Sequence, residues 1–268
     1  RVDITPAGPI SMGGFGQRTT MSIGVHDPLH AKALFLSSGK NKLLFITTDL
    51  LYMPGSIADP VIEELRRRIG LDPSQMCFTA SHTHSGPAVV EYFGSTDNVE
   101  QYLAFLRTAL ADVGEEAVRQ ATPSRLRLGV GYVDFLLNRR TRGNPNRVDE
   151  RILGLVVEDQ ATGEVSSILF GCGCHPVCLG YENYQISADY PGYAQELVEK
   201  AFPRANALFF NMAEGNIIPW TRVPTDSMDP RGYMGKSFEA AAEIGTLLAA
   251  EVIRVVKNAP EVGELVLA

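Results

Sequence analysis

A chain of 268 residues, 45% of them hydrophobic, is long enough to bury a large core as one domain, and no repeat or low-complexity segment divides it. Its net charge of −7 at pH 7, without a clustered basic run, argues against nucleic acid and anionic membrane surfaces as main partners. No apolar run approaches the roughly 18 residues of a membrane span, and four cysteines are too few for a disulfide scaffold of this length. The first residue is Arg1 and no signal-like segment precedes the fold, which reads as a processed or trimmed chain.

In chain order, Asp3-Ile4-Thr5-Pro6 reads as a short edge strand ended by proline. Gly13-Gly14-Phe15-Gly16 is a loop whose glycines permit close backbone approach to a ligand. It has no phosphate-loop lysine and follows no strong strand, which argues against a nucleotide. His26 precedes a strand over 31–37 and is within sequence reach of a site, whereas His30, next to the strand, reads as structural. An apolar strand over 42–48 delivers Asp49 at its end, ahead of a helix over about 57–69. Asp49 is a candidate metal ligand, an orienter of a ligating histidine, or a turn cap.

A strand over 76–81, which contains Cys77 as core, runs into Ala80-Ser81-His82-Thr83-His84-Ser85-Gly86-Pro87. In an extended segment residues two apart point the same way, so His82 and His84 project from one face at the strand end, where open α/β sheets place ligands. Two neutral imidazoles suit a divalent transition metal, with nitrogens at about 2.0–2.1 Å. The plainer alternative is a pair of hydrogen-bonded loop histidines. A helix over 98–119 completes a strand-helix-strand-helix alternation.

A strand over 124–134 leads into Asn138-Arg139-Arg140-Thr141-Arg142-Gly143-Asn144-Pro145, a loop able to grip a carboxylate, phosphate or polarised carbonyl, or simply a solvated one. Strands over 151–158 and 164–170 flank Asp159-Gln160-Ala161-Thr162-Gly163, a hairpin signal that adds antiparallel character. His175 then follows an apolar strand, as His82 does. Cys172, Cys174 and Cys178 around it allow a closed zinc site, or are ordinary small core residues. Asp189 starts a helix to about 201, where it caps the helix, points at a metal, or both. A core strand over 206–210 ends in a polar turn with Glu214 and Asn216. The last helix, over about 235–257, has Ile244, Leu247, Leu248, Val252 and Val255 at core spacing. The fold class expected is α/β: one domain over 1–268, with a mixed, largely parallel β-sheet covered by helices and a metal site at the C-terminal ends of strands.

Gly24-Val25-His26-Asp27-Pro28-Leu29, Thr48-Asp49-Leu50, the His82-Thr83-His84-Ser85-Gly86-Pro87 element, Asn138-Arg139, Cys174-His175-Pro176, Ser187-Ala188-Asp189-Tyr190-Pro191-Gly192-Tyr193-Ala194 and Gly215-Asn216-Ile217-Ile218-Pro219 occur in a telling order. Together they resemble the N-terminal catalytic domain of the neutral/alkaline (non-lysosomal) ceramidase family and its shorter bacterial relatives. The resemblance implies a zinc-dependent amidase of lipid metabolism that hydrolyses the N-acyl bond of ceramide. It matches His82 and His175 to the family's zinc-binding histidines, His84 to a second active-site histidine and Arg139 to an active-site arginine. The family's active-site serine lies in a Gly-Asp-Val-Ser-Pro segment, and here that position is Ile218. Its remaining zinc ligands, a Glu and a Tyr, and its immunoglobulin-like domain come from sequence beyond the matched region.

These readings combine into one expectation. His82 and His175, joined by His84 or Asp49, hold Zn²⁺ with an open position, and metal-activated water replaces the serine. Asp189 or Glu214 is the general base, Arg139 stabilises the oxyanion, and His84 and Asn216 complete the candidate catalytic set. The partner is a small-molecule or lipid-like N-acyl substrate. Two alternatives stand beside it: a non-catalytic metal- or ligand-binding relative, and a hydrolase of polar substrates in which Trp220, Tyr190 and Tyr193 stack on a sugar or aromatic group, if they are not simply core.

Overall fold

The computed structural model describes residues 1–90, 97–141, 147–220 and 236–262. The strands are β1 (Val2–Asp3), β2 (Gly24–Val25), β3 (His30–Ser38), β4 (Asn41–Thr48), β5 (Met76–Ala80), β6 (Ser124–Tyr132), β7 (Leu136–Asn138), β8 (Arg151–Asp159), β9 (Val165–Cys172), β10 (Gln185–Ile186), β11 (Asn206–Asn211) and β12 (Ile217–Pro219). The helices are α1 (Gly55–Ile69), α2 (Asp97–Arg119), α3 (Asp189–Ala201) and α4 (Phe238–Asn258). Residues 142–145 of the arginine loop and residue 235 of the last expected helix lie outside the described residues.

The strands form two four-stranded sheets, β1-β3-β4-β5 and β11-β9-β8-β6, with small pairs β2/β10 and β7/β12 beside them. The expectation of a largely parallel sheet is corrected. In the two large sheets only β4/β5 and β9/β11 are parallel, while β1/β3, β3/β4, β6/β8 and β8/β9 are antiparallel. Connection length decides the direction. Gly39-Lys40 joins β3 to β4, with Gly39 at φ +61°, and a short turn joins β8 to β9; links this short can only reverse the chain. The longer passages through α1 and α3 return their strands parallel.

Burial stacks these elements in four layers. Ile57, Val61 and Leu65 of α1 and Leu106 and Leu110 of α2 bury against Leu44 and Ile46 of β4. On the far side, Ile244, Leu248, Val252 and Val255 of α4, with Ala194 and Val198 of α3, cover Ile152, Val156, Ile168, Phe170 and Phe209. The sheets meet through Leu34, Val157 and Leu208, flanked by Leu36, Leu126, Leu155 and Leu169. Each fully buried side chain of this kind contributes roughly 1.5–3 kcal/mol. The order is therefore helix, sheet, sheet, helix.

One end of this sandwich gathers the functional sequence. His82 follows β5, His175 follows β9, Glu214 follows β11 and Arg139 follows β7. Cross-links between these loops fix them to one another: the Asn211 side-chain amide donates to the Ser81 carbonyl at 2.8 Å, the His84 N–H to Pro176 at 3.3 Å, the His175 N–H to Ile217 at 3.0 Å and the Arg139 N–H to Asn216 at 2.9 Å.

Candidate metal centre

Simple alternation along β5 does not bring the histidines together. The strand stops at Ala80, and His82 adopts φ +69°, a left-handed conformation that costs a non-glycine residue of order 1–3 kcal/mol. That kink is held by the His82 N–H on the Leu50 carbonyl at 2.9 Å. Thr83, fully buried between the two histidines, donates to the Ser187 carbonyl at 2.9 Å, and the Ser187 N–H returns to Ser85 at 3.0 Å. The short polar side chains of the motif thus anchor the loop and leave the imidazoles to face inward.

Three rings converge there. One ligating nitrogen from each of His82, His84 and His175 lies within 4.8 Å of the others. The ring centroids are 4.7 Å apart for His82 and His175, and 4.9 Å for His82 and His84. His82 Nδ1 donates to the Leu51 carbonyl at 2.7 Å, and His175 Nδ1 to the Glu214 carbonyl at 2.9 Å. A carbonyl only accepts, so both Nδ1 atoms carry a proton, and it is Nε2 of each ring that has a lone pair to offer when the ring is neutral. Burial lowers the pKa of His82, against the opposing charge of Glu214, and lowers that of His84 to about 2 with help from His82, His175, Arg18 and Arg139. Both of these rings are neutral donors at pH 7. Both nitrogens of His84 are buried without a hydrogen-bond partner among the described residues, a cost that a metal bond would remove at one of them. The donor set fits zinc, for which neutral imidazoles with Nδ1 bound to a carbonyl are the ordinary ligand arrangement.

Glu214 and Arg139 border the rings. The Glu214 carboxylate pairs with His175 Nδ1 and lies 3.8 Å from His82 Nε2. Burial pushes its pKa up, but the hydrogen bond to His175 and the charges of His175, His82 and Arg139 win and hold it below the usual 4.5. The Arg139 guanidinium donates to Gly215 at 2.8 Å, and its charge is felt at His82, His84 and Glu214. Asn216 is exposed and contributes its backbone carbonyl, which receives the Arg139 N–H.

Other expected residues are elsewhere. Asp49 is fully buried, with one carboxylate oxygen accepting from the His30 N–H at 2.8 Å and the other from Gln195 at 3.1 Å, and it stands outside the histidine group. Asp189, at φ +56°, spends its oxygens on the Tyr190 N–H at 2.7 Å and the Leu179 N–H at 3.1 Å, which anchor it at the start of α3. Strand-end position is visible in sequence, but the amides that consume a carboxylate are not. His26 stacks on Phe238 at 3.6 Å and bonds Tyr193 at 2.9 Å, apart from the triplet. Cys172, Cys174 and Cys178 are core residues whose thiols burial pushes up, and none joins the histidine group. Tyr190 is buried, its hydroxyl on Cys174; Trp220 is partly exposed. Ile218 is buried in β12 opposite Leu137.

Sequence reasoning missed Arg18 and Phe15. The Phe15 ring meets His84 edge-on at 4.9 Å, and Gly14, at φ +97°, packs so closely that a Cβ there would lie 2.7 Å from the His84 Cβ. The glycine run of this loop was the available signal.

This layered α/β architecture brings three imidazoles and an ionised carboxylate together at one end, a donor set that could hold a metal ion. The N-terminal region of the neutral/alkaline non-lysosomal ceramidases matches residues 1–225, and the chain belongs to that family. It is 26% identical to neutral ceramidase 1 of Arabidopsis thaliana over 228 residues, which are 76% of this chain and 29% of that protein, and 25% identical to neutral ceramidase 2 over 224 residues, again 29% of the relative. The crystal structure of neutral ceramidase from Pseudomonas aeruginosa superposes with a TM-score of 0.82 at 23% identity, over 97% of this chain and 44% of that one. The chain thus spans less than half the length of these relatives.

Proposed function

We propose that this chain is a zinc-dependent hydrolase of an amide (N-acyl) or related bond in a lipid-like substrate of the ceramide type. The observation that carries the reading is the convergence of His82, His84 and His175 with two Nδ1 protons committed to backbone carbonyls. Family membership, and relatives named as ceramidases, support the bond class. The three imidazoles would hold the metal. Bound zinc supplies Lewis acidity toward a carbonyl and acidifies water at neutral pH.

The chain's own groups supply the rest. Glu214, ionised at pH 7 and beside both His82 and His175, would take a proton from water and return it to the leaving amine. Arg139 directs positive charge into the same space, where an oxyanion develops. Ile218 has no hydroxyl, so no side-chain nucleophile arises at that position.

Ile218 is also what favours a second reading, a non-catalytic metal- or ligand-binding relative. A panel of N-acyl amides and esters, including short- and long-chain ceramides, separates the two. Turnover abolished by chelation and restored by zinc supports the hydrolase. Binding without turnover across the panel overturns it.

A further inference from the structure

Two of the three histidines are oriented in the ordinary way, by an Nδ1–H bond to a backbone carbonyl. His84 has no such bond on either nitrogen among the described residues. Something else must fix it. Its main chain and ring are instead gripped by the loop of Gly13 to Arg18, and the centre of that grip is one guanidinium.

Arg18 Nη1 donates to the carbonyls of His84 at 2.5 Å and Gly13 at 2.7 Å, Nε to Asn183 at 3.1 Å and Nη2 to Gly180 at 3.4 Å. One planar cation therefore joins three separate segments, using the fork of donors that a lysine lacks. Its carbon lies 5.0 Å from the Phe15 ring centre, and that ring in turn meets His84 edge-on. Among the described residues Arg18 has no carboxylate ion-pair partner, and burial lowers its pKa to about 10. A half-buried cation with no carboxylate partner among the described residues is costly for a chain that needed only to tie loops.

We propose that Arg18 is a positioning residue for the metal centre: through the His84 carbonyl and the Phe15 ring it holds the His84 imidazole in the place that an Nδ1 hydrogen bond holds His82 and His175. This rests on the reading of the triplet as a metal site. Removing the guanidinium frees the His84 carbonyl, leaving the His84 main chain only its N–H on Pro176, and loosens Phe15 from its cation contact, while His82 and His175 keep their own orienting bonds. Loss of an orienting partner typically weakens metal binding about 10- to 100-fold.

The test is Co²⁺ binding to the full chain, read by the visible absorption of the bound ion and by competition with a chromogenic chelator, in wild type, Arg18→Ala, Arg18→Lys and Phe15→Ala. Arg18→Ala is expected to weaken Co²⁺ by about 10-fold or more and to shift the absorption bands. Arg18→Lys, which keeps charge but not the fork, is not expected to restore them. Phe15→Ala, which leaves every Arg18 hydrogen bond intact, is expected to shift the bands by less and serves if Arg18→Ala does not fold. Wild-type affinity and an unchanged spectrum in a folded Arg18→Ala, or in Phe15→Ala if that alone folds, overturn the proposal. A wild-type chain that binds no Co²⁺ overturns the underlying metal reading, and this proposal with it.

Discussion

Asp189→Asn separates a structural carboxylate from a catalytic one. Asp189 is fully buried, and burial, working against the amides of Tyr190 and Leu179, lifts its pKa from 3.8 to about 6. The native state therefore binds more protons than the unfolded state between those values, and the stability this group contributes falls as pH rises through that window. A displacement of that size corresponds to about 3 kcal/mol, of which about 2 kcal/mol is recovered on acidifying from pH 7 to pH 4. Asparagine tolerates the positive φ at this position and cannot titrate. Urea unfolding of wild type and variant at both pH values cancels the other titrating groups. The expected result is a wild-type advantage larger at pH 4 than at pH 7 by about 2 kcal/mol. A pH-independent difference, with wild-type stability and turnover down 100-fold or more, would refute the reasoning and return Asp189 to the catalytic centre.

Glu214→Gln is expected to keep the metal, since the His175 Nδ1–H retains the Glu214 backbone carbonyl, and to lose about 10²–10⁴ in turnover. Because the Glu214 carboxyl is held below 4.5, the acid limb of a wild-type kcat profile should fall below that pH; a limb well above it counts against Glu214 as base. Gly14→Ala forces a side chain to φ +97° and into His84, so metal affinity should drop while global unfolding changes by about 1–3 kcal/mol; unchanged affinity would show that the loop does not bear on His84. Ile218→Ser should cost about 2–5 kcal/mol in thermal or urea unfolding without changing metal content, because it empties a buried site in β12. Cys172→Ala and Cys178→Ala should leave metal content as it is; loss of metal would revive the cysteine site.

Strands and helices were largely legible because burial imposes its period on the sequence: the expected strands over 151–158 and 164–170 correspond to β8 and β9, and of the expected core stripe Ile244, Leu248, Val252 and Val255 are buried while Leu247, one position off that face, is exposed. Strand direction was not, because an apolar run reads the same whether its neighbour is parallel or antiparallel. His82, His84 and His175 could be gathered from their positions after apolar strands. Their convergence, however, depends on the His82 backbone and on the three-residue pair β7/β12, which sets Arg139 beside Glu214 and is too short to carry a period. Arg18 was invisible for a related reason: its farthest carbonyl acceptor lies 165 residues away, and backbone carbonyls leave no mark in sequence.

The most direct measurement is elemental analysis of the purified chain beside His82→Ala and His175→Ala. The account predicts about one zinc per wild-type chain and loss of it in both variants. Wild-type protein that is metal-free and takes up no added zinc, or variants that keep the metal in full, would contradict it.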